Sequence, residues 1–256
     1  MLEQYKNKII CGEAIETMKL LPDKSIDMIL TDPPYGTTSC KWDTIIPFDP
    51  LWEQYKRIIK DNGAIVLTAS QPFTSALVMS NVKMFKYEWI WEKTQATGML
   101  NANKQPLKSH ENILVFYKRQ PTYNPQKTHN HKPMNSGIKR KKVLNRSNIY
   151  GKVKNDLVFG GNTDRFPRTN ITFKSDKQTN YFHPTQKPVA LFEYLIRTYT
   201  SEQDVILDNC AGSFTTAVAA DNTKRRWICI EKEKNYCDIG LKRINENRER
   251  LNYNLF

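Results

Sequence analysis

Three features of the sequence predict an α/β fold with a doubly wound, mostly parallel sheet. Apolar strand patterns alternate with helical patterns over the first third of the chain, and the alternation resumes near residue 188. Strands such as Ala64–Thr68 are apolar at nearly every position, which is typical of parallel strands covered on both faces. The length of 256 residues accommodates one large domain with an insertion.

The first half of the predicted sheet spans residues 1–117. Its helices carry apolar residues on one face, and turn signals bound them. Pro22-Asp23 ends the first helix, Asp49-Pro50 begins the second, and Asn62-Gly63 is predicted to end it. The predicted elements are the strand Lys8–Cys11, the helix Glu13–Leu21, the strand Ile26–Leu30, the helix between Asp49 and Gly63, the strand Ala64–Thr68, the helix Pro72–Ser80, and the strands Tyr87–Trp91 and Asn112–Tyr117.

Residues 118–182 interrupt the alternation, because periodicity is weak there and Pro, Asn, Gly and Lys dominate. This composition predicts a loop-rich insert rather than a second copy of the core. The second half of the sheet follows in residues 183–256. Its predicted elements are the helix Pro188–Tyr199, the strand Asp204–Leu207, the helix Thr215–Asp221, the strand Arg226–Glu231 and the terminal helix Asn235–Leu251.

The positive charge of the chain is concentrated in this insert. The formal net charge is +13, and Lys118–Lys154 contains eleven Lys and Arg residues without any Asp or Glu, so the rest carries only +2. A local positive field is expected on a surface that meets phosphates, although a solvated loop without a partner is the alternative. The residues predicted to bind a nucleic-acid backbone are Lys139, Arg140, Lys141, Lys142 and Arg146.

Composition also argues against several classes of protein. No stretch approaches the roughly 18 apolar residues that a membrane helix needs, and the first residues are polar, unlike a signal peptide. Five cysteines without a CxxC pair argue against a disulfide framework or a zinc site and favour a reducing cytoplasm. His129 and His131 have no acid or thiol nearby in the sequence, so no metal is expected there.

The segment Asp32-Pro33-Pro34-Tyr35 follows the predicted strand Ile26–Leu30, with only Thr31 between them. Both prolines fix their φ angles, and each restricts the residue before it to extended geometry. The result is a stiff cup with a carboxylate acceptor and a flat ring, which suits a planar base with an exocyclic amine. An ordinary strand-to-loop turn is the alternative, since Asp-Pro commonly begins turns.

A second candidate site begins where the strand Asp204–Leu207 enters Asp208–Thr216 and then a helix. Small residues in this turn let the backbone approach a ligand, and the helix start offers free N–H groups. The next strand ends in Glu231, where an acid can accept hydrogen bonds from ribose hydroxyls. The pattern predicts a nucleotide-cofactor site.

These segments resemble those of the S-adenosylmethionine-dependent DNA amino-methyltransferases of the permuted (beta) group. The matching segments, in the order of that family, are Asp32–Tyr35, the insert, His183–Pro188 and Asp208–Thr216. The resemblance implies a circularly permuted, Rossmann-like methyltransferase fold with a catalytic half (1–117), a target-recognition insert (118–182) and a cofactor-binding half (183–256). Both loops are then expected at the carboxyl ends of neighbouring strands, opening into one cleft.

The resemblance also implies roles for individual residues. Asp32, Pro33, Pro34 and Tyr35 are expected to be catalytic, and Glu13 stands where the family more often has Asp. The amine on the target base would donate to Asp32 and to the Pro33 carbonyl while Tyr35 stacks on the base. The residues expected to hold S-adenosylmethionine are Glu13, Asp32, Thr185, Lys187, Asp208, Ala211, Gly212, Ser213 and Glu231.

One residue departs from the family pattern. Phe214 follows Gly212-Ser213, where a second glycine is usual, and a bulky ring there could block the cofactor or strain the backbone. Either the ring points away and the loop works, which we favour, or the protein is an inactive DNA-binding relative.

The tetrapeptide that begins with Asp resembles adenine-N6 enzymes, whereas a Ser-led form is more typical of cytosine-N4 enzymes. We therefore expect a cytoplasmic, site-specific adenine methyltransferase acting on double-stranded DNA in a bacterial or phage-infected cell. Cytosine-N4 methylation and RNA methylation are the alternatives. The family also allows a homodimer and a companion restriction endonuclease.

Overall fold

The computed structural model describes residues 2–38, 40, 43–133, 161–174 and 186–253. Within them, eight strands form a single sheet. These strands are β1 (Lys8–Cys11), β2 (Ile26–Thr31), β3 (Ile59–Ala69), β4 (Phe85–Thr97), β5 (Lys108–Phe116), β6 (Asn170–Phe173), β7 (Val205–Asp208) and β8 (Arg226–Glu231). Their order across the sheet is β1-β8-β7-β2-β3-β5-β4-β6.

The sheet is mostly parallel, as predicted. The five strands from β1 to β3 in sheet order pair in parallel. β5 runs antiparallel to both β3 and β4, and β6 pairs in parallel with β4 at the edge. β2 and β7 are direct neighbours although the insert separates them in the chain. This pairing brings the two halves of the chain together at the centre of the sheet.

In the described part of the chain, six α-helices cover the two faces of the sheet. One apolar cluster packs β-strands against α1 (Ala14–Met18), α2 (Phe48–Ile58) and α3 (Phe73–Ser80). The other cluster joins the sheet to α4 (Val189–Tyr199), α5 (Thr215–Asn222) and α6 (Lys234–Tyr253). Two short 3₁₀ helices span Leu2–Tyr5 and Met99–Asn101. No described helix is long and apolar enough to cross a membrane.

The alternation of side chains along β2 produces this two-faced arrangement. Met28 and Leu30 belong to the cluster under α4–α6, whereas Ile29 belongs to the cluster under α1–α3. All three are fully buried. A doubly wound sheet is therefore confirmed, because successive apolar residues of this strand face opposite helical layers.

The predicted end of α2 at Asn62-Gly63 is wrong. The helix ends at Ile58, Ile59 is already extended, and Asn62-Gly63 lies inside β3. A Cβ atom on Gly63 would lie 2.8 Å from the Asp27 carbonyl oxygen, and the β2–β3 register shifts nearby. This glycine permits a close backbone approach at an irregularity within a strand, rather than ending a helix.

The sheet extends beyond the predicted strands at one edge. β4 continues to Thr97 and β5 begins at Lys108, so the two strands form a longer hairpin than the sequence pattern indicates. β6 falls within the segment predicted to be loop-rich. Only Ile171 of its four residues is buried, so the sequence of β6 lacks the apolar pattern that predicts a strand. The strand conformation of β6 instead depends on its pairing with β4.

The chain divides into two compact units, Met1–Asn124 with Thr169–Phe256, and Pro125–Arg168. In the smaller unit, Nδ1 of His129 lies 2.9 Å from Oδ1 of Asp164. Folding thus brings to His129 an acid that is distant in sequence. No three potential metal ligands cluster in the described part of the chain. The three-part division at residues 117 and 182 remains a prediction.

Candidate functional site

The predicted catalytic segment and the predicted cofactor loop lie at the same end of the sheet. In the parallel pair of β2 and β7, Ile29 is opposite Leu207, so both chains leave the sheet side by side at their carboxyl ends. There the Thr31 hydroxyl donates to Oδ1 of Asp208 at 2.7 Å. This buried hydrogen bond holds the two loops at a fixed separation.

A cavity of about 700 Å³ opens between these loops. Its size lies within the range of small-molecule sites. The predicted site residues on its lining are Glu13, Asp32, Pro33, Pro34, Tyr35, Lys187, Asp208, Ala211, Gly212, Ser213 and Glu231. Thr185, Lys139, Arg140, Lys141, Lys142 and Arg146 lie outside the described residues. The structure thus brings together every predicted catalytic and cofactor residue that it describes.

Both oxygens of the Asp32 carboxylate accept hydrogen bonds from neighbouring side chains. Its Oδ1 accepts a hydrogen bond of 2.7 Å from the Tyr35 hydroxyl and a short one from the Thr68 hydroxyl. Its Oδ2 accepts a 2.7 Å hydrogen bond from Nζ of Lys187. The carboxylate is therefore held in one orientation at the cavity wall.

The Tyr35 ring is fixed on one face and remains a neutral donor. It stacks on Phe73 with the ring centroids 5.3 Å apart and an interplanar angle of 26°. Burial raises the pKa of Tyr35 well above its ordinary value, and the nearby carboxylates of Asp32 and Glu111 raise it further. The hydroxyl proton thus stays available for Asp32 across the physiological pH range.

Glu111 is a charged residue at this site that the sequence analysis missed. It lies on β5 with only 13% of its side chain exposed, where its Oε1 lies 2.5 Å from Nζ of Lys93 and its Oε2 lies 3.3 Å from Nζ of Lys187. Oε2 is buried and makes no hydrogen bond within the described structure, despite its closeness to Lys187. Two carboxylates, Asp32 and Glu111, therefore flank one buried ammonium.

Lys187 and Glu111 hold each other in the ionised state. Burial alone would lower the pKa of Lys187, but Asp32 and Glu111 together raise it above its ordinary value. Burial would likewise raise the pKa of Glu111, yet Lys187 and Lys93 keep it below the ordinary value. A lone glutamate before an apolar strand carries no sequence signal for this role, since its partners lie elsewhere in the chain.

The Glu231 carboxylate fixes the turn after β7 through hydrogen bonds to the backbone. Oε2 of Glu231 accepts from the Gly212 N–H at 2.7 Å, and its Oε1 accepts from the Glu233 N–H at 2.8 Å. Gly212 has a φ of +48°, which glycine adopts without a steric penalty. Each Glu231 oxygen keeps acceptor capacity toward the cavity, because a carboxylate offers about four lone-pair sites.

Glu13 combines two roles at the opposite rim. It is the N-cap of α1, where its side chain accepts a 2.9 Å hydrogen bond from the Glu16 N–H. It also lines the cavity beside Gly12 and Ala14. Capping fixes the carboxylate at the start of the helix, so its position is set by local structure.

Asp43 organises the loop that follows the catalytic segment. Its carboxylate accepts hydrogen bonds of 2.7 to 2.9 Å from the backbone N–H groups of Gly36, Thr37 and Thr38. Although burial would raise the pKa of Asp43, a hydrogen bond from the Thr38 side chain and these backbone hydrogen bonds hold it below the ordinary value. This carboxylate shapes the rim of the cavity through the backbone.

Phe214 points away from the cavity. Its backbone adopts the left-handed conformation (φ +59°), and its ring is fully buried under α6 against Gly240. It is absent from the residues that line the cavity, whereas Ser213 and Thr215 on either side are present. The ring therefore does not obstruct the cavity, whereas the expected backbone strain is present, because Phe214 adopts the left-handed conformation that glycine favours.

The fit of Phe214 against Gly240 gives a stability prediction. A Cβ atom on Gly240 would collide with the Phe214 ring, so Gly240→Ala is expected to cost about 1–3 kcal/mol of unfolding free energy through overpacking. Urea unfolding of wild type, both single variants and Gly240→Ala/Phe214→Ala measures the coupling. The added methyl group should cost much less in the Phe214→Ala background; an equal cost in both backgrounds would contradict this packing.

A second prediction concerns how the contribution of Asp208 to stability depends on pH. Burial raises its pKa to about 6, although hydrogen bonds from Thr216 and Thr31 oppose the shift. Because the unfolded value is about 3.9, the folded protein binds this proton more tightly, and the contribution of Asp208 to stability falls as pH rises from about 4 to above 6.

The neutral variant Asp208→Asn is expected to lack this pH dependence. The unfolding free energy of the variant minus that of wild type should therefore be higher at about pH 7.5 than at about pH 4.5, by on the order of 2 kcal/mol. Urea unfolding of both proteins at the two pH values measures the change. A difference between the proteins that does not vary with pH would contradict a raised Asp208 pKa.

Comparison with known proteins identifies the family. The model of the N6/N4 DNA methylase family matches residues 26–242. The methyltransferase M.HpaI of Haemophilus parainfluenzae, a type II enzyme, is 27% identical over 252 residues, covering 93% of this chain and 74% of its own. The DNA adenine methyltransferase YhdJ of Escherichia coli is 29% identical over 248 residues, covering 92% and 82%.

Solved structures agree with the architecture. The complex of M1.HpyAVI with SAM (S-adenosylmethionine) has 26% sequence identity and a TM-score of 0.61, covering 92% of this chain and 98% of its own. The cytosine-N4-specific PvuII DNA methyltransferase has a TM-score of 0.66 and covers 95% and 91%, but its 15% identity shows only a shared fold. Together with the sheet order and the family match, these results show that the chain belongs to the N6/N4 DNA methylase family.

Proposed function

We propose that the protein transfers a methyl group from S-adenosylmethionine to the N6 amino group of adenine at specific sites in double-stranded DNA. One observation carries this proposal: the Asp32–Tyr35 cup and the Asp208–Ser213 turn open into the same cavity. An acceptor for a base amine and a candidate methyl-donor site thus face each other, as direct transfer requires.

The cavity fits S-adenosylmethionine by its size and its polar groups. Fixed carboxylates of Glu13 and Glu231 can accept from ribose or ring donors, and the Ala211–Ser213 turn allows close backbone approach. Apolar side chains of Trp91, Phe192 and Ile46 cover other parts of the wall. When bound, the sulfonium compound supplies an electrophilic methyl group.

The residues of the cup activate the amine. A base amine is a poor nucleophile, because its lone pair is delocalised into the ring. We propose that Asp32 and the Pro33 carbonyl accept its two N–H groups, which localises the lone pair and stabilises the positive charge that develops on nitrogen as the N–CH3 bond forms and the S–CH3 bonding pair returns to sulfur. Asp32, which already accepts an N–H, is placed to receive the proton that the methylated nitrogen then loses. The Tyr35 face opposite Phe73 stacks on the base. The target leaves the duplex stack to reach this position.

Lys187 competes with the target amine for the Asp32 carboxylate. Its ammonium now donates to Oδ2 of Asp32, and Oε2 of Glu111 lies 3.3 Å away without a hydrogen bond. We propose that the ammonium moves onto Glu111 as the amine binds Asp32, so that no charge is left unpaired in the interior. Glu111 is in this sense a positioning residue.

Adenine is the proposed target because the tetrapeptide begins with Asp, and the name of the relative YhdJ supports this choice. The basic insert is proposed as the main contact with DNA phosphates, including Lys139, Arg140, Lys141, Lys142 and Arg146. The relatives named type II methyltransferases support a restriction–modification role with a companion endonuclease in a bacterial cytoplasm. A homodimer is also compatible with the proposal.

Mass spectrometry tests the proposal directly. Purified protein, S-adenosylmethionine and plasmid DNA from a methylation-free host should give N6-methyladenine, and single-molecule sequencing should place it at one short sequence. N4-methylcytosine instead would contradict the choice of base. Modification of RNA in preference to duplex DNA would contradict the substrate class, and no product on either polymer would contradict the enzyme assignment.

A further inference from the structure

The hairpin between β4 and β5 ends in an exposed apolar tip, defined here as residues 98–107. Leu100 is 100% exposed, Met99 is 69% exposed and Leu107 is 36% exposed. Single exposed apolar residues are ordinary on protein surfaces, but three of them at the end of one projecting hairpin form a group. Such side chains gain free energy when they leave water for an apolar environment.

The backbone of the tip is held by its own hydrogen bonds. Gly98 turns the chain with a φ of +96°, and a 3₁₀ helix follows at Met99–Asn101. The Asn101 N–H donates to the Gly98 carbonyl at 2.9 Å, and the Lys104 N–H donates to the Asn101 carbonyl at 2.9 Å. Leu100 is therefore presented on a preorganised turn, which lowers the entropic cost of inserting it into a partner.

The stem of this hairpin forms part of the wall of the active-site cavity. Lys93, Thr97, Lys108 and Glu111 all line it. Thr97 is paired with Lys108 at the end of the stem. Leu100 lies three residues beyond Thr97, hence at most about 11 Å of chain from the rim of the cavity.

The charge of the hairpin matches nucleic acid. The charge of Lys93 is paired with Glu111, but from Thr94 to Lys108 the sequence contains two further lysines and no Asp or Glu. Lys104 and Lys108 are exposed, as are the amides of Asn101, Asn103 and Gln105 around the apolar group. Lysine side chains suit phosphates, and amide side chains suit base edges.

We propose that the hairpin tip is the wedge that enters the DNA duplex at the target base pair, with Leu100 taking the space which the extruded base leaves. Apolar side chains inserted between base steps partly unstack and kink duplexes in other DNA-binding proteins, and a leucine flanked by lysines and amides has that character. The inference rests on the proposed function, because extrusion matters only if the target base must reach the cavity.

Leu100→Ala tests the wedge on two duplexes that contain the mapped recognition site. In one the target base is paired, and in the other it faces an abasic site, so that no pair has to be opened. Single-turnover methyl transfer by the variant is expected to fall about tenfold on the paired duplex, or about 1.4 kcal/mol of barrier, and to stay near the wild-type rate on the other.

Leu241→Ala is the matched control, because Leu241 is 55% exposed on α6 and lies apart from the hairpin. It should behave as wild type on both duplexes. An unchanged rate for Leu100→Ala on the paired duplex, or an equal loss on both duplexes, would overturn the wedge while leaving the methyltransferase proposal intact. A wild-type protein that modifies neither duplex would instead overturn the proposed function, and the wedge with it.

Discussion

Asp32→Asn is expected to lower the rate of methyl transfer by about 10²–10³-fold, the usual loss when one group that stabilises developing charge is removed. Asparagine keeps the size of the side chain but has no negative charge, and it can present an amide N–H₂ where Lys187 now donates to Oδ2. The target amine would then find a weaker acceptor. Single-turnover transfer at saturating S-adenosylmethionine and duplex DNA measures the effect.

Asp23→Asn is the control for the same chemical change. Asp23 is a largely exposed carboxylate that pairs with Arg57 at 2.7 Å, away from the cavity lining. It should keep the wild-type rate. An Asp32→Asn rate within about threefold of wild type, or about 0.7 kcal/mol of barrier, would contradict a role for this carboxylate in activating the amine.

Glu111→Gln is expected to lower kcat by roughly 10- to 100-fold, or about 1.4 to 2.7 kcal/mol of barrier. Without the second carboxylate, the buried ammonium of Lys187 has only Asp32 as a charged partner and competes with the target amine for it. Lys93 also loses its 2.5 Å partner, so some loss of stability is expected as well. Steady-state kinetics and urea unfolding, performed on the same preparations, separate the two effects.

A positioning role predicts a pattern that a purely structural role would not. kcat should fall while KM for S-adenosylmethionine changes little, and Glu111→Asp should restore part of kcat because it restores the charge. Glu92→Gln is the matched control, since Glu92 lies on the same hairpin with an exposed side chain that bonds Thr172. An unchanged kcat in a stable Glu111→Gln protein would contradict the transfer of Lys187 between carboxylates.

The sheet and the two site loops could be predicted because their signals are local. Strand β8 agrees with its prediction at both ends, since a continuous apolar run preceded by a charged residue defines it in sequence. The end of α2 could not be predicted in this way, because the close approach of Gly63 to Asp27 is a contact between strands. Edge strand β6 likewise depends on the neighbour that it pairs with.

Site residues could likewise be predicted only where their signals are local in the sequence. Asp32 and Glu231 follow apolar strands, so their positions at the end of the sheet follow from the pattern. The position of Glu111 beside Lys187 could not be predicted in this way, because it depends on the pairing of β5 between β3 and β4. The orientation of Phe214 depends on the absence of a side chain at Gly240, and neither residue alone indicates it.

The hydrogen bond from Thr31 to Asp208 has an evolutionary consequence. It joins the two chemical halves of the molecule through neighbouring strands, so the spacing between them does not depend on how much chain connects them. A connecting segment can thus be lengthened, shortened or exchanged while the distance between acceptor and donor sites stays constant. In the function proposed above, selection for a new target sequence and selection for catalytic speed would then act on separate stretches of the gene.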